Sequence, residues 1–342
     1  MSTRRTRFAA LIAAVGLAAA ALSGCTAAPT QESTGDSVFQ GSSSENYYMV
    51  TFLSGFPFWK ETYRGFEDAA KQLGVTANYA GTTEYDVNAA ISAFEQVITM
   101  DPAGIAVTAM DADAYVDPIN RSVDAGIATV TFDSDAPDSR RAAFLGTGNY
   151  AAGAEVARQV GALYDGESAK VGVVTLLGQT NINDRIRGFE DTLAAEFPEI
   201  EVVDVVDSGS DETSASSASA NLLKAHPDLD LVFAAQVTAQ VGALTAIEEA
   251  GKTGEVKIVT FDSDKVTLDN IASGTVEFSV AQGPYHMGYW SMMMLYAMKH
   301  NTVSPVNDWA ENGIAPLPPL VDTGAFLINS DNVQAYLDSV AG

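Results

Sequence analysis

The six residues Val-Thr-Phe-Asp-Ser-Asp occur twice in this chain, at Val130–Asp135 and at Val259–Asp264. Each copy is a run of β-branched and aromatic residues that ends in acidic and hydroxyl side chains, which is typical of a buried parallel strand ending at a cleft. Coincidence is the alternative, because Val-Thr-Phe is common in strands and Asp-Ser is common in turns. In open α/β sheets, ligands bind beyond the carboxyl ends of the strands. The repeat therefore predicts two similar domains that face each other across one groove.

Short β-rich runs alternate with amphipathic helical stretches along most of the chain, which predicts an α/β fold. The two copies of the repeat complete predicted strands at Ile127–Phe132 and Val256–Phe261. The C-terminal part is predicted to contain, in order, a strand at Gly274–Ala281, a helix with core-filling methionines at Tyr285–Lys299, an irregular linker at 301–320, a last strand at Val321–Ile328 and a terminal helix.

The N-terminus has the pattern of a lipoprotein export signal. Three arginines precede an apolar run over Phe8–Leu22, which is too short for a membrane-spanning helix, and we therefore expect residues 1–24 to be a signal peptide. The sequence Leu-Ser-Gly-Cys that ends at Cys25 resembles the bacterial lipobox, so Cys25 is the predicted site of an acyl lipid such as palmitate. Residues 25–45 are rich in Ser, Thr, Gly and Gln and predict a flexible tether. The expected location is extracytoplasmic, with the lipid holding the protein to the cell membrane.

The charge of the chain argues against nucleic acid as a partner. Its 342 residues include 18 basic and 44 acidic residues, a formal net charge of −26, and loss of three arginines with the signal would change this to −29. A nucleic-acid-binding protein needs a basic stripe to neutralise phosphates, and the basic residues here do not cluster. Because Cys25 is the only cysteine, an internal disulfide is excluded.

The sequence predicts no cofactor, no metal site and no catalysis. The segment Gly146–Ala151 matches G-x-G-x-x-A, but it does not follow the first strand of a domain, and we interpret it as a crossover with tight turns rather than a dinucleotide site. The three histidines lie far apart, and no nucleophile or zinc motif occurs. Paired carboxylates could serve a glycosidase, so an exported glycoside-processing enzyme is the alternative from another class. Binding without turnover is the simpler interpretation, since the same carboxylates hydrogen-bond a polyol.

An aromatic cluster, Phe56 to Trp59, directly follows the first predicted strand. Aromatic rings at a strand end can cover the apolar C–H face of a sugar ring, which makes Phe58 and Trp59 candidate ligand residues. The alternative is a hydrophobic staple at the start of the next helix.

From residue 46 onward, the chain resembles the periplasmic ribose/galactose-type sugar-binding proteins of ABC importers. The stretches that carry the resemblance are FPFWKETYRGFEDAAKQLG, VTAMDADAYVDPI, AGIATVTFDSDAPDS, DRIRGFED, NLLKAHPDLDLVFAAQ, VTFDSD and VAQGPYHMG. The resemblance implies the type I periplasmic-binding-protein fold, with two doubly wound Rossmann-like lobes joined by a multi-strand hinge. It also implies a monomer that closes on one monosaccharide or polyol and delivers it to an ABC permease.

The family layout implies two discontinuous lobes. The N-terminal lobe would comprise residues 46–147 plus 283–320, and the C-terminal lobe residues 148–282 plus 321–342. A signalling receptor of the same fold, for an autoinducer-like furanose or a nucleoside, is the alternative function. A sugar-responsive repressor is excluded, because the signal peptide stands where a DNA-binding headpiece would be needed.

The resemblance also implies the contacts to the ligand. Phe58 would stack on the sugar ring and Arg185 would bind its oxygens. The remaining implied ligand residues are Asp133, Gln179, Asn181, Gln236, Asp262 and Gln282. Ser134 stands where ribose binders have an arginine, which argues against ribose as the ligand. In each copy of the repeat, the last acid, Asp135 or Asp264, is predicted to be a turn or helix-capping residue.

Overall fold

The structure, a computed structural model, describes residues 41–302, 314–315 and 317–340. The predicted signal peptide, Cys25, most of the predicted tether and the centre of the predicted linker lie outside these residues. Residues 41–45, which were assigned to the tether, are instead bonded to the folded protein, and that assignment is wrong for them. The Gly41 N–H donates to the Leu73 carbonyl at 2.7 Å, and the Thr76 N–H donates to the Glu45 carbonyl at 2.9 Å.

The first part of the chain alternates strands and helices as predicted. Its elements are β1 (Asn46–Thr51), α1 (Pro57–Leu73), β2 (Thr76–Gly81), α2 (Val87–Ile98), β3 (Gly104–Val107), α3 (Val116–Asp124), β4 (Ala128–Phe132) and β5 (Phe144–Gly146).

The same alternation then repeats. The elements are α4 (Asn149–Tyr164), β6 (Ala169–Thr175), α5 (Thr180–Glu196), β7 (Ile200–Asp207), α6 (Glu212–Ala225), β8 (Leu231–Ala234), α7 (Val237–Glu249), β9 (Lys257–Phe261), α8 (Lys265–Ala272) and β10 (Phe278–Gln282). The chain closes with α9 (Pro284–Lys299), β11 (Leu320–Asp322), β12 (Ala325–Asn329) and α10 (Val333–Val340).

These elements build two six-stranded sheets with matching strand orders. The first is β11-β5-β4-β3-β1-β2 and the second is β12-β10-β9-β8-β6-β7. All described pairings are parallel except that of β12 with β10. We call the first sheet with α1, α2, α3 and α9 the first lobe, and the second sheet with α4 to α8 and α10 the second lobe. The predicted α/β class with two doubly wound lobes is confirmed.

Each lobe buries its own apolar core between the sheet and its helices. In the first lobe, α9 packs against α1, and Met287 and Met292 are fully buried there, which confirms the core role predicted for the methionines. Glycines let the paired helices approach closely. A Cβ on Gly288 would lie 1.8 Å from the Thr62 carbonyl oxygen, and one on Gly188 would lie 2.0 Å from that of Tyr150. This packing fixes the starts of α1 and α5 at the carboxyl ends of the sheets.

The structure corrects two predicted elements near the C-terminus. The helix α8 was not predicted, and it occupies the residues just before the predicted strand at Gly274–Ala281, which forms only from Phe278. The predicted last strand, Val321–Ile328, is two strands, because the chain turns at Gly324 with φ of 87°. β11 completes the first sheet beside β5, whereas β12 completes the second sheet beside β10. No helix within the described ranges has the length and apolar character that a membrane crossing requires.

Candidate ligand-binding site

The two copies of the repeat end in the same backbone conformation. Asp133 follows β4 with φ of 61°, and Asp262 follows β9 with φ of 73°. The N–H of Asp133 donates to the Leu145 carbonyl at 3.1 Å, and the N–H of Asp262 donates to the Val280 carbonyl, also at 3.1 Å. A positive φ costs a non-glycine residue about 1 kcal/mol or more, and such residues cluster at ligand sites. The two acids are therefore structurally equivalent, and each lies at the carboxyl end of a central strand of its sheet. The repeated sequence thus corresponds to a repeated structure.

A cavity between the two lobes brings the candidate residues together. It has a volume of about 700 Å³ including its open mouth, which lies in the range of small-molecule sites. All nine side chains that the sequence analysis proposed as ligand residues line it: Phe58, Trp59, Asp133, Gln179, Asn181, Arg185, Gln236, Asp262 and Gln282. Eight of these nine residues are buried, and Gln236 is half-buried.

The first lobe contributes mainly aromatic rings to the cavity. The indole of Trp59 meets the rings of Phe52 and Phe58 edge-on, at centroid distances of 5.3 and 4.9 Å. The Trp59 Nε1–H is buried, and no hydrogen-bond acceptor within the described residues meets it. The alternative of a hydrophobic staple is not formed, because Phe56 is the N-cap of α1 and the residue before it is Gly55, which has no side chain to pack.

The second lobe contributes polar groups from equivalent positions. The pentapeptide Arg-Gly-Phe-Glu-Asp occurs both at Arg64–Asp68 in α1 and at Arg187–Asp191 in α5. Aligning these copies places Phe58 opposite Asn181 in the two helices. In the same alignment, the N-cap residues Phe56 and Gln179 correspond. The two lobes therefore present an aromatic wall and an amide wall from the same scaffold.

Arg185 is held rigidly on the second-lobe side. It is 1% exposed, and its guanidinium lies over the ring of Phe261, 3.5 Å from the ring centroid. Nη1 donates to the Ala235 carbonyl at 2.6 Å, while Nε and Nη2 both donate to Oδ1 of Asn149, at 3.2 and 2.8 Å. Three of its five N–H groups are thus used, and the other two have no bonded partner among the described residues. These two donors are available to a ligand in the cavity.

Charges from both lobes meet at the cavity. Burial raises the pKa of Asp133 to about 7. The positive charge of Arg185 opposes this rise, and the negative charge of Asp262 adds to it. Burial also raises the pKa of Asp262, which Arg185 and a hydrogen bond from Gln282 oppose. Burial lowers the pKa of Arg185 to about 10, and the two acids limit that fall. Arg185 therefore stays charged at neutral pH, and the cavity contains one cation and two acids.

The amide side chains are partly committed to protein contacts. Gln282, at the end of β10, donates from Nε2 to Oδ1 of Asp262 at 2.8 Å, while its Oε1 is buried and no donor in the described ranges reaches it. Gln236, the N-cap of α7, donates from Nε2 to Oγ1 of Thr238 at 3.0 Å. Both glutamines therefore keep an acceptor for a ligand hydroxyl.

Tyr85 is a site residue that the sequence analysis missed. Its hydroxyl accepts a hydrogen bond of 2.7 Å from Nε2 of Gln179 in the opposite lobe, and its ring meets Phe52 edge-on at 5.4 Å. It lies directly before Asp86, the N-cap of α2, so the only signal in the sequence is an aromatic residue in the loop after a strand. Phe52 and Thr238 also line the cavity without having been predicted.

The last acids of the two repeats have different environments, and only Asp264 occupies a helix N-cap position, as predicted. Asp135 forms an ion pair with Arg141 and accepts a hydrogen bond from Oγ1 of Thr131 at 2.6 Å. Asp264 is at the N-cap position of α8, but its side chain makes no capping hydrogen bond, and it lines a second cavity. The difference arises because Arg141 follows only the first copy.

Several known proteins are similar to this chain. Residues 47–301 match the family model described as periplasmic binding protein domain. A solved sugar ABC transporter sugar-binding protein from Bacillus halodurans is 43% identical with a TM-score of 0.80, covering 85% of this chain and 100% of that one. AraP, an arabinose-binding protein from Geobacillus stearothermophilus, is 40% identical with a TM-score of 0.76, covering 85% and 99%. The D-allose-binding periplasmic protein of Escherichia coli is 26% identical over 76% of this chain and 87% of its own length.

Proposed function

Because the chain belongs to the periplasmic binding protein family, we propose that it binds a neutral monosaccharide or polyol between its two lobes. The observation that carries the proposal is the opposition of an aromatic wall, with Phe58 and Trp59, to a polar wall built around Arg185. The proteins named in the comparisons are described as binding sugars, arabinose or D-allose, which supports the same ligand class here.

The chemistry of a sugar suits the two walls. A pyranose or furanose ring has an apolar C–H face that an aromatic ring can cover. Its hydroxyls can donate to Asp133 and Asp262 and accept from the two remaining N–H groups of Arg185. A micromolar dissociation constant corresponds to about −8 kcal/mol, and a few charge-assisted hydrogen bonds of about 1.5 to 3 kcal/mol each could supply it after the cost of closure.

The proposal extends to how the protein is attached, where it acts and to what it delivers the sugar. We propose that Cys25 carries the lipid anchor, that the receptor acts outside the cytoplasmic membrane as a monomer, and that it delivers the sugar to an ABC permease. The lipobox-like sequence before Cys25 supports the anchor. The Bacillus halodurans protein, described as part of a sugar ABC transporter, supports the importer role. Metabolic labelling with a palmitate analogue should mark the wild type and not the Cys25→Ser variant.

A thermal-shift screen followed by calorimetry tests the binding proposal. The purified protein is screened against pentoses, hexoses, inositols and linear polyols, and each positive ligand is titrated by calorimetry. Ligand at about 100 times its dissociation constant stabilises the folded state by about 2.7 kcal/mol, so a true ligand should raise the melting temperature clearly. No shift with any member of the panel would contradict the proposal. Hydrolysis of chromogenic glycosides would favour the enzyme alternative instead.

A further inference from the structure

A second cavity adjoins the first and shares part of its wall. Phe58, Asp262 and Gln282 line both cavities. The second has a volume of about 1300 Å³ including its mouth, and it lies between the start of α1 in the first lobe and the start of α8 in the second. A ligand ring held in the first cavity would thus have open space on the far side of these three residues.

The second cavity repeats the chemical make-up of the first. Aromatic side chains on its wall include Tyr285, His286 and Phe326, and Phe326 is 40% exposed. The rings of His286 and Phe326 lie 6.4 Å apart. Exposed aromatic rings beside polar groups are suited to the apolar face and hydroxyl edge of a sugar.

Two acceptors of this second wall, on Asp264 and Gln282, are uncommitted within the described part of the chain, whereas Glu61 and Lys265 pair with Arg64 and Asp269. Asp264 has no salt-bridge partner within the described ranges, whereas its counterpart Asp135 is neutralised by Arg141. Burial and the repulsion of Asp262 raise the pKa of Asp264 to about 7. Gln282 is 9% exposed, and its Oε1 has no hydrogen-bond donor among the described residues. A buried acceptor without a partner is costly, which indicates that a ligand donor belongs there.

We propose that the second cavity is a subsite for a second glycosyl unit, so that the protein also binds disaccharides or other glycosides of its sugar. This inference rests on the proposed binding of a sugar ring in the first cavity. The first ring lies against Phe58 and Arg185, and the glycosidic substituent passes Asp262 and Gln282. The second ring then stacks near Phe326 and donates a hydroxyl hydrogen to the carboxylate of Asp264.

The test compares free sugars with their glycosides by calorimetry. The probes are the monosaccharide that binds best in the panel, both of its methyl glycosides, and disaccharides that contain it, such as arabinobiose or xylobiose for a pentose. At least one disaccharide should bind no more weakly than the free sugar. Phe326→Ala and Asp264→Asn should each raise the dissociation constant of the disaccharide by about fivefold or more, because each removes one ring contact or hydrogen bond of about 1 kcal/mol. Binding of the free sugar should change by less than about twofold.

Control variants separate the subsite from general damage. Asp228→Asn removes an exposed acid of the second lobe, and because Asp228 and its partner Lys170 line neither cavity, it should leave the binding of both ligands unaffected. His286→Trp should fill the subsite and block the disaccharide alone, and melting temperatures show whether each variant is folded. The inference is wrong if the free sugar binds and no glycoside does. It is also wrong if none of the three cavity variants changes the affinity for the disaccharide. Failure of every sugar, free or linked, would instead overturn the proposed function itself.

Discussion

The hydroxyl of Tyr85 and the amide of Gln179 join the two lobes by a hydrogen bond of 2.7 Å. The bond spans the cavity between an aromatic residue of the first lobe and the N-cap residue of α5 in the second lobe. Because it can form only while the lobes are close together, we expect it to favour a closed arrangement of the lobes around the proposed ligand. It would therefore act on release of the ligand more than on its capture.

Tyr85→Phe should accelerate ligand dissociation by about fivefold, since one neutral hydrogen bond contributes about 1 kcal/mol. Stopped-flow tryptophan fluorescence with the best ligand of the panel measures the rate. Tyr150→Phe is a matched control, because it removes a surface hydrogen bond to Asp191 that lies away from the cavity. Equal dissociation rates for wild type and Tyr85→Phe would contradict a role in closure.

Asp262→Ala should weaken ligand binding by about tenfold or more, because a charge-assisted hydrogen bond to the ligand is lost. The melting temperature of the free protein should change little, since the buried carboxylate is itself costly to desolvate, as its raised pKa indicates. Titration calorimetry and scanning calorimetry measure the two effects. An unchanged affinity would exclude Asp262 from the site.

Arg185→Ala should lower both affinity and stability. The substitution leaves Asp133 and Asp262 without their cation and Asn149 without its donor, and breaking such a buried charged network costs about 3 to 5 kcal/mol. Urea unfolding measures the stability and calorimetry the affinity. Arg187 lies on the same helix, and its side chain is 62% exposed. Arg187→Ala should therefore lower the free energy of unfolding by less than about 0.5 kcal/mol. Similar losses for both arginines would show that Arg185 has no special role.

The stability of the free protein should fall as the pH rises from about 4 to about 7. Burial raises the pKa of Asp133 in the folded state to about 7, above its ordinary value of 3.8, so the folded state binds more protons than the unfolded state across this window. Asp133→Asn should flatten part of this slope in urea unfolding at several pH values. An identical slope in Asp133→Asn would show that this acid titrates normally.

Sugar acids should bind at least about tenfold more weakly than the matching neutral sugars. The cavity holds two acids and one guanidinium, so a ligand carboxylate would meet a net excess of negative charge once both acids are ionised. Competition calorimetry with an aldose and its aldonate at pH 8 measures the ratio. Equal affinities at that pH would show that a ligand carboxylate meets no excess of negative charge in the cavity.

Most of the fold and part of the candidate site could be predicted from the sequence. Strand ends such as Phe132 and Phe261 could be recognised because burial on both faces demands apolar β-branched and aromatic residues up to the point where the chain meets the cleft. The helix α8 could not, because in eight residues only Leu268 and Ile271 supply large buried apolar side chains, too few to establish a helical period.

Long-range pairing explains what was missed in the site. Tyr85 is ordinary within its own loop, and its role depends on Gln179 in the other lobe. The two last acids follow the same five residues, yet Asp135 folds back onto Arg141, whereas Asp264 has no such cation among the described residues. Such differences depend on tertiary contacts that a local pattern does not encode.

The turn at Gly324 has a consequence for the order in which the lobes can form. The strand β11 and the helix α9, which buries Met287 and Met292, belong to the first lobe but follow the whole of β6 to β10 in the chain. During synthesis, which starts at the N-terminus, all five strands β6 to β10 of the second lobe are therefore made before α9 and β11 are available to complete the first lobe. The lobe that begins first is closed late, and a nascent chain that stops before α9 would leave an apolar sheet face open to aggregation.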